Sequence, residues 1–259
     1  MASLLLGDSG VGTGIRVDLH VHSVNSDGTN PVSEIIQYAI NNTGLSGIAF
    51  SEHTFSDCLS PLRSYEEAQT YLVQQGLDRT IVIYPAAELS LLIPGNKRNK
   101  VHGLILGDIG ELEKMLRGVA HFGSVVPVEA TKEYNLKMFL AHPKPHDLFY
   151  DAGVITHFHG VEYTPNLLTN PISNNSRYCL SKLLMQSVPV IATSDAHHLS
   201  SLGVHTEFSE LTPSVFDLIT INNISALCVE EVRSKNIKRL CRSLNGLISI
   251  KFLDQLPKS

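Results

Sequence analysis

Cysteine is sparse in this sequence and forms no pattern that is typical of a metal site or a disulfide framework. The 259 residues include four widely scattered cysteines, Cys58, Cys179, Cys228 and Cys241. Structural zinc sites built on thiolates need closely spaced cysteines, and disulfide-stabilised domains are shorter and richer in cysteine. Both classes are therefore excluded, and reduced thiols in a cytoplasmic protein are expected.

Long apolar runs and an excess of positive charge are also missing. No apolar segment reaches the roughly 18 residues of a membrane span, and no basic segment precedes Leu4-Leu5-Leu6 as a signal peptide would require. The formal net charge is -5, which argues against a general nucleic-acid-binding surface. A small phosphorylated substrate is still compatible with this charge. We expect no membrane contact, and the sequence does not indicate an oligomeric state.

The apolar pattern predicts short strands that alternate with amphipathic helices. Strands are expected at 15–22, 46–51, 80–88, 101–106, 138–142, 159–163 and 188–194, with a further one at 226–230. Helices are expected at 31–42, 64–76, 111–121, 174–187, 213–221 and 231–243. Such alternation is typical of parallel strands in an α/β fold. Residues 1–14 are interpreted as a flexible N-terminal extension, and residues 15–259 as a single domain.

Histidine is the residue type in excess, with 12 copies spread along the sequence. The most informative pair is His20 and His22, which lie two residues apart in the first predicted strand. Side chains with this spacing point to the same face of a strand, so both imidazoles can reach one point in space. A shared metal ion requires that geometry, although a strand with two surface histidines has the same local pattern.

More histidines and carboxylates stand at or near the ends of the other predicted strands. These candidate ligands are Asp27, His53, Glu88, His102, His142, Asp195 and His197. Parallel α/β barrels place their active sites at the C-terminal ends of the strands, where distant residues meet. Imidazoles and carboxylates without thiolates suit Zn²⁺, Mn²⁺ or Fe²⁺, and nine ligands are enough for two or three ions. Glu88 or Asp195 is expected to bridge two of them.

The ordered set of motifs over residues 15–200 resembles the PHP (polymerase and histidinol phosphatase) family. The motifs are Asp18-Leu19-His20-Val21-His22-Ser23, Asp27-Gly28-Thr29, Ser51-Glu52-His53, Glu88, Ala141-His142-Pro143 and Ser194-Asp195-Ala196-His197. The resemblance implies a distorted seven-stranded (β/α) TIM-like barrel with a usually trinuclear site and phosphoesterase activity. The second motif of the family commonly reads Asp-His. This chain has Glu52 at that position, and we expect Glu52 to support the site rather than to bind metal.

The resemblance also implies three sets of ligands. The first set is His20, His22, Glu88 and Asp195, the second is Glu88, His102 and His142, and the third is Asp27, His53 and His197. The residues of the first set are also the predicted catalytic residues. His102 is the least secure member, because its sequence surroundings vary within the family.

The predicted reaction is attack on a phosphomonoester by a hydroxide that bridges metal ions. The expected substrates are small metabolites such as histidinol phosphate, a nucleotide or a sugar phosphate. Lys144 directly follows His142 and is the favoured phosphate-binding residue. Lys97, Arg98 and Arg177 are further candidates, although residues 97–100 can equally be a solvated run of charge.

Three alternative functions stay open at this point. The chain can be a nuclease or phosphodiesterase that acts on nucleic-acid ends, or a non-catalytic scaffold with a PHP-like fold. It can also be a metal-dependent C–N hydrolase of the amidohydrolase kind, which likewise begins with an HxH strand. That last class usually needs a carbamylated lysine on a middle strand, where this chain has Glu88.

Overall fold

The computed structural model describes residues 15–94, 100–143, 152–164, 189–208, 211 and 226–229. Several sequence predictions lie outside these ranges: the N-terminal extension, the helices at 174–187, 213–221 and 231–243, and the phosphate-binding candidates Lys97, Arg98, Lys144 and Arg177. None of the described helices combines the length and the apolar character that crossing a membrane demands.

Ten strands and four α-helices are present in the described residues. The strands are β1 (Ile15–Val21), β2 (Gly47–Phe50), β3 (Val82–Leu92), β4 (Lys100–Leu106), β5 (Val126–Pro127), β6 (Lys137–Ala141), β7 (Gly160–Tyr163), β8 (Val190–Ala192), β9 (Val204–Phe208) and β10 (Ala226–Val229). The helices are α1 (Val32–Tyr38), α2 (Ser60–Gln75), α3 (Ile109–Val119) and α4 (Ala152–Ile155). A π-helical turn, Ala39–Thr43, extends α1 over most of the predicted helix at 31–42.

Eight of these strands form a nearly closed barrel in the order β9-β1-β2-β3-β4-β6-β7-β8. Beyond the end of β8, the backbone of Ala196 bonds to His20 in β1 and to His22, which directly follows that strand. The expected α/β class and distorted barrel are confirmed. The seven strands from β1 to β8, leaving out the short β5, are joined by an eighth, β9, which runs antiparallel to β1.

The barrel departs from uniform parallel pairing at β4, which runs antiparallel to both β3 and β6. A local apolar pattern does not encode strand direction, so the sequence alone did not indicate this reversal. Because β4 pairs with β3 as far as Leu92, β3 extends four residues past Glu88. The sequence pattern placed Glu88 at the end of a strand, at 80–88. In the structure Glu88 lies within β3 instead.

Side chains from the strands fill the barrel, and helices cover its outside. The interior cluster includes Leu19, Tyr84, Phe139 and Ile191, all fully buried. Two further clusters lie between strands and helices, one under α1 and α2 and the other under α3. The candidate metal ligands lie outside these three apolar clusters, at one end of the barrel.

Candidate metal centre

The HxH pair of β1 converges as its spacing predicts. His20 and His22 are both buried, and their Nε2 atoms lie 2.9 Å apart. The pairing register of β1 with β2 shifts between Asp18 and Val21, next to this pair. Two imidazole nitrogens at this distance can bind the same cation.

Glu88 and Asp195 complete a group of four around that point, which we call the inner group. Oε2 of Glu88 lies 3.1 Å from His20 Nε2 and 3.3 Å from His22 Nε2. Oδ1 of Asp195 lies 3.6 Å and 3.5 Å from the same two atoms. This Oδ1 atom is buried and has no hydrogen-bond partner in the part of the chain that the structure describes. A buried carboxylate oxygen without a donor, beside two imidazoles, fits the ligand shell of a cation.

The other oxygen of Glu88 contacts a second group, the middle group, which consists of Glu88, His102 and His142. Oε1 lies 2.6 Å from His102 Nδ1 and 2.7 Å from His142 Nε2. The two histidine atoms are 3.3 Å apart. His102 stands near the start of β4, and the reversal of that strand brings its start to the edge where the parallel strands end. The antiparallel direction thus explains a candidate ligand that lies at the beginning of its strand.

Asp27, His53 and His197 form the outer group, at the most exposed side of the centre. Oδ2 of Asp27 lies 3.5 Å from His53 Nε2, and Oδ1 lies 3.3 Å from His197 Nε2. The ring of His22 stacks on both His53 and His197, with centroids 4.6 Å and 4.3 Å away. Ligand atoms of His22, Asp27, His53 and His197 all lie within 4.8 Å of one another. The grouping therefore adds His22 to the set that the family resemblance implied.

His53 of the outer group also approaches Glu88, so Glu88 contacts at least one residue of each group. Nδ1 of His53 lies 3.2 Å from Glu88 Oε2. Besides the three groups, His53, Glu88 and His102 form a further arrangement that could hold a cation. All nine side chains that the sequence analysis selected as metal ligands are brought together at this end of the barrel.

The electrostatics of the inner group favour positive charge among its carboxylates. Burial acts against a charged His20, but the carboxylates of Glu162, Glu88 and Asp195 outweigh it and hold the His20 pKa well above its ordinary value. Burial likewise acts against ionised Glu88, yet the surrounding histidines keep its pKa well below the ordinary value. A divalent cation at this point would be stabilised by the same field.

The neighbouring groups titrate in keeping with this arrangement. Burial opposes charge on His22, but the adjacent carboxylates of Asp195 and Glu88 raise its pKa to about 9. Burial also opposes ionised Asp195, whose pKa is nevertheless lowered to about 2 by His20 and His22. His53 differs, because burial lowers its pKa to about 4 and the nearby carboxylates of Glu88 and Asp27 do not offset that effect. A neutral imidazole is the form that binds metal.

Two candidate ligands have strained backbones. His142 has φ of 25° and Asp195 has φ of 50°, and both values lie in the left-handed region that a residue with a Cβ atom seldom adopts. Each of these residues follows the end of a strand, β6 or β8, and turns its side chain towards the shared centre. Backbone strain of this kind is concentrated at functional sites, where the surrounding structure stabilises it.

The structure adds Glu162 in β7 as a polar residue that sequence reasoning missed. Its side chain is fully buried, and its Oε1 atom lies 2.5 Å from His20 Nδ1. Its Oε2 atom accepts a hydrogen bond from the His142 backbone N–H at 2.6 Å. The available signal was a single acidic residue inside the short apolar strand Gly160–Tyr163, since a buried carboxylate needs partners.

Glu52 is also buried and supports the turn that carries Asp27. Its carboxylate accepts hydrogen bonds from the Ser23 backbone N–H at 3.0 Å and from the Ser64 hydroxyl at 2.7 Å. The hydroxyl of Ser26 donates to it as well. Glu52 makes these contacts instead of joining any of the three groups, in agreement with the supporting role expected for it.

The solved structures to which this chain is similar include the following two. One is a candidate metal-dependent phosphoesterase from Bifidobacterium adolescentis, with 17% identity over 70% of this chain and 87% of that chain, at a TM-score of 0.48. The other is a two-domain protein from Bacteroides vulgatus that contains a predicted PHP-like metal-dependent phosphoesterase. It has 17% identity over 76% of this chain and 59% of its own length, at a TM-score of 0.47. No family model and no curated protein matches the sequence.

The fold and the centre together define the general class of this chain. It is an α/β protein with a nearly closed, barrel-shaped sheet. At one end of that barrel it carries a cluster of histidine, aspartate and glutamate side chains that could hold metal ions.

Proposed function

We propose that this chain is a PHP-type, metal-dependent phosphoesterase that hydrolyses a phosphomonoester on a small metabolite. The observation that carries the proposal is the convergence of nine histidine and carboxylate side chains, Glu88 among them, at one end of the barrel. Nitrogen and oxygen donors without thiolates suit two or three divalent ions, of which Zn²⁺, Mn²⁺ and Fe²⁺ are the candidates. Histidinol phosphate, nucleotides and sugar phosphates are the substrate classes proposed.

Each group is assigned one ion. The inner ion would be held by His20, His22, Glu88 and Asp195, the middle ion by Glu88, His102 and His142, and the outer ion by Asp27, His53 and His197. When bound, such ions supply hydroxide near neutral pH, by lowering the pKa of a coordinated water, and neutralise charge on the phosphoryl oxygens.

The protein's own residues act in this proposal by orienting and isolating the reacting groups. His20, His22, Glu88 and Asp195 are the proposed catalytic residues, because they surround the buried point where charge is least screened by water. Glu88 ties the inner and middle groups together through its two oxygens. Lys144, Lys97, Arg98 and Arg177 are proposed to bind the phosphate of a small substrate.

A nuclease or phosphodiesterase acting on nucleic-acid ends is the second proposal. The net charge of -5 disfavours a long nucleic acid as the partner. A non-catalytic scaffold is the third, and it is disfavoured because every expected ligand position carries a residue able to bind metal.

The deciding experiment is a screen of phosphorylated metabolites with purified protein loaded with Mn²⁺ or Zn²⁺. We expect release of inorganic phosphate from phosphomonoesters, inhibition by a chelator, and recovery when metal is restored. Bis(p-nitrophenyl) phosphate and single-stranded oligonucleotides serve as substrates for the second proposal. His20→Ala and Asp195→Ala should abolish turnover while circular dichroism shows a folded chain, and full activity in either variant would reject the assignment.

A further inference from the structure

Glu162 is a buried carboxylate that touches two assigned metal ligands from different groups. Its Oε1 atom contacts Nδ1 of His20, which belongs to the inner group. Its Oε2 atom accepts the backbone N–H of His142, which belongs to the middle group. The Thr193 hydroxyl also donates to Oε1. The Glu162 side chain thus contacts one residue of the inner group and one residue of the middle group.

The contact with His20 determines which ring nitrogen carries the hydrogen. An ionised carboxylate only accepts hydrogen bonds, so the His20 Nδ1–H group donates to Glu162. In the neutral, metal-binding form of His20 the lone pair is then on Nε2, and it is Nε2 that lies beside His22 and Glu88. A carboxylate behind a ligating histidine fixes its tautomer and ring orientation and increases its basicity.

The contact with His142 acts on the backbone instead of the ring. His142 has φ of 25°, a conformation that has to be held by its surroundings. Glu162 Oε2 binds the N–H of this same residue, and the His142 ring reaches Glu88 Oε1 at 2.7 Å. The hydrogen bond therefore helps to hold the strained turn that directs the ring to the middle group.

We propose that Glu162 is a positioning residue that supports the inner and middle ions together. This inference deepens the proposed function and rests on it for the ligand roles of His20 and His142. The outer group is independent of it, because Asp27 makes its contacts with His53 and His197. The affinities of two ions should therefore depend on Glu162, and the affinity of the third should not.

The test is Glu162→Gln, which keeps the size of the side chain. If the amide oxygen faces His20, the amide N–H₂ group faces the N–H of His142, and two donors oppose each other. If the amide is reversed, His20 Nδ1 has to accept, and the hydrogen moves to the nitrogen assigned to metal. We expect the Zn²⁺ affinities of the inner and middle sites to fall about 10- to 100-fold, with the outer site unchanged.

Two readouts separate positioning from a general structural role. Zn²⁺ affinities are measured by competition with a chromophoric chelator, and the His20 tautomer is followed in ¹⁵N-histidine NMR spectra. Glu52→Gln is the matched control, because Glu52 is also buried and fully hydrogen-bonded but supports the turn that carries Asp27. It should weaken the outer site only and leave the His20 Nδ1–H resonance in place.

Wild-type Zn²⁺ affinities and an unchanged His20 resonance in Glu162→Gln would overturn the inference. The same pattern of ion loss in both variants would overturn it as well. If Glu162→Gln does not fold, Thr193→Val removes one donor to the same carboxylate, and an unchanged His20 resonance there counts against the inference. Zn²⁺ binding by a wild-type protein that hydrolyses no phosphate ester would refute the proposed function and leave the role of Glu162 intact.

Discussion

The inner and outer groups use the same kinds of side chain but differ in their access to water. In the inner group the side chains of His20 and His22 are fully buried and that of Asp195 is 14% exposed. In the outer group the side chain of Asp27 is 42% exposed and that of His197 is 31% exposed. Charges are screened far less in a buried site than at the surface. The inner group is therefore expected to hold its ion tightly, and the outer group is expected to hold an ion that exchanges with solvent.

The difference follows from where each group is attached. The inner ligands lie on or directly beside strands β1, β3 and β8, whose backbones are fixed by ladder hydrogen bonds. Asp27 lies in the turn between β1 and α1, where Gly28 N–H bonds back to Ser23. With this arrangement, we expect the ion of the inner group to stay bound while the outer group adjusts to the substrate.

The largest expected loss of activity comes from replacing Glu88, which the inner and middle groups share. Glu88→Gln should reduce turnover by about 1000-fold or more, because Lewis-acid stabilisation is worth several kcal/mol. Metal analysis should show that both the inner and the middle ions are lost. Glu113→Gln, on the surface of α3, is the matched control and should behave as the wild type. Retention of both ions by Glu88→Gln would contradict the central position of this carboxylate.

The next effect separates the inner group from the outer one directly. His20→Ala should be inactive at any metal concentration, because its loss opens a buried gap among carboxylates. His197→Ala should lose about 10- to 100-fold in activity at low metal, since one exposed ligand of an exchangeable ion is removed, and recover when Mn²⁺ is added. The measurement is kcat as a function of Mn²⁺ concentration. Equal recovery of the two variants would remove the distinction between tight and exchangeable ions.

A smaller effect is expected from a change that replaces no ligand side chain. A Cβ atom at Gly28 would lie 2.3 Å from the His22 carbonyl oxygen and 2.8 Å from the Ser23 backbone nitrogen, so Gly28→Ala must displace the turn. We expect the outer ion to bind about tenfold more weakly, as is typical when support behind a ligand is lost. Titration with Mn²⁺ checks this. A matching loss at the inner site would show that the two groups are not independent.

The smallest effect is predicted for Ser64 in α2. Its hydroxyl donates to Glu52 at 2.7 Å, and Glu52 has other donors that can partly compensate. Ser64→Ala should lower the free energy of unfolding by about 1 kcal/mol, the usual net value of one hydrogen bond. Urea unfolding measures this change, and the outer ion should bind within about twofold of wild type. A larger loss of affinity than of stability would assign Ser64 a more direct role in the site.

Much of the centre could be predicted because its residues follow simple local rules. The HxH spacing of His20 and His22 fixes a common face, and ligands at the ends of parallel strands meet at one edge. Each candidate ligand is also a residue type that binds metal, so the set can be selected by chemistry. The resulting convergence was predicted without knowledge of any contact.

Other features depend on information that is absent from local patterns. The reversal of β4 follows from its pairing on both sides, and Glu162 shows its role only when the folded barrel brings its side chain from β7 to His20 of β1. The strand β9 was missed because Val204–Phe208 has three consecutive polar residues between two apolar ones, which is not the alternation typical of a strand. The short strand β5 falls between the predicted helix at 111–121 and the predicted strand at 138–142, where no element was predicted.

The reversed strand β4 has a consequence for how the protein folds. Glu88 and His102 lie on one hairpin and are 14 residues apart, whereas His20 and Glu162 are separated by 142 residues. Closing a short segment costs less chain entropy than closing a long one. Two of the three residues of the middle group can therefore come together while the rest of the chain is still unfolded. A cation captured there would stabilise the hairpin early and provide a template on which the remaining strands assemble.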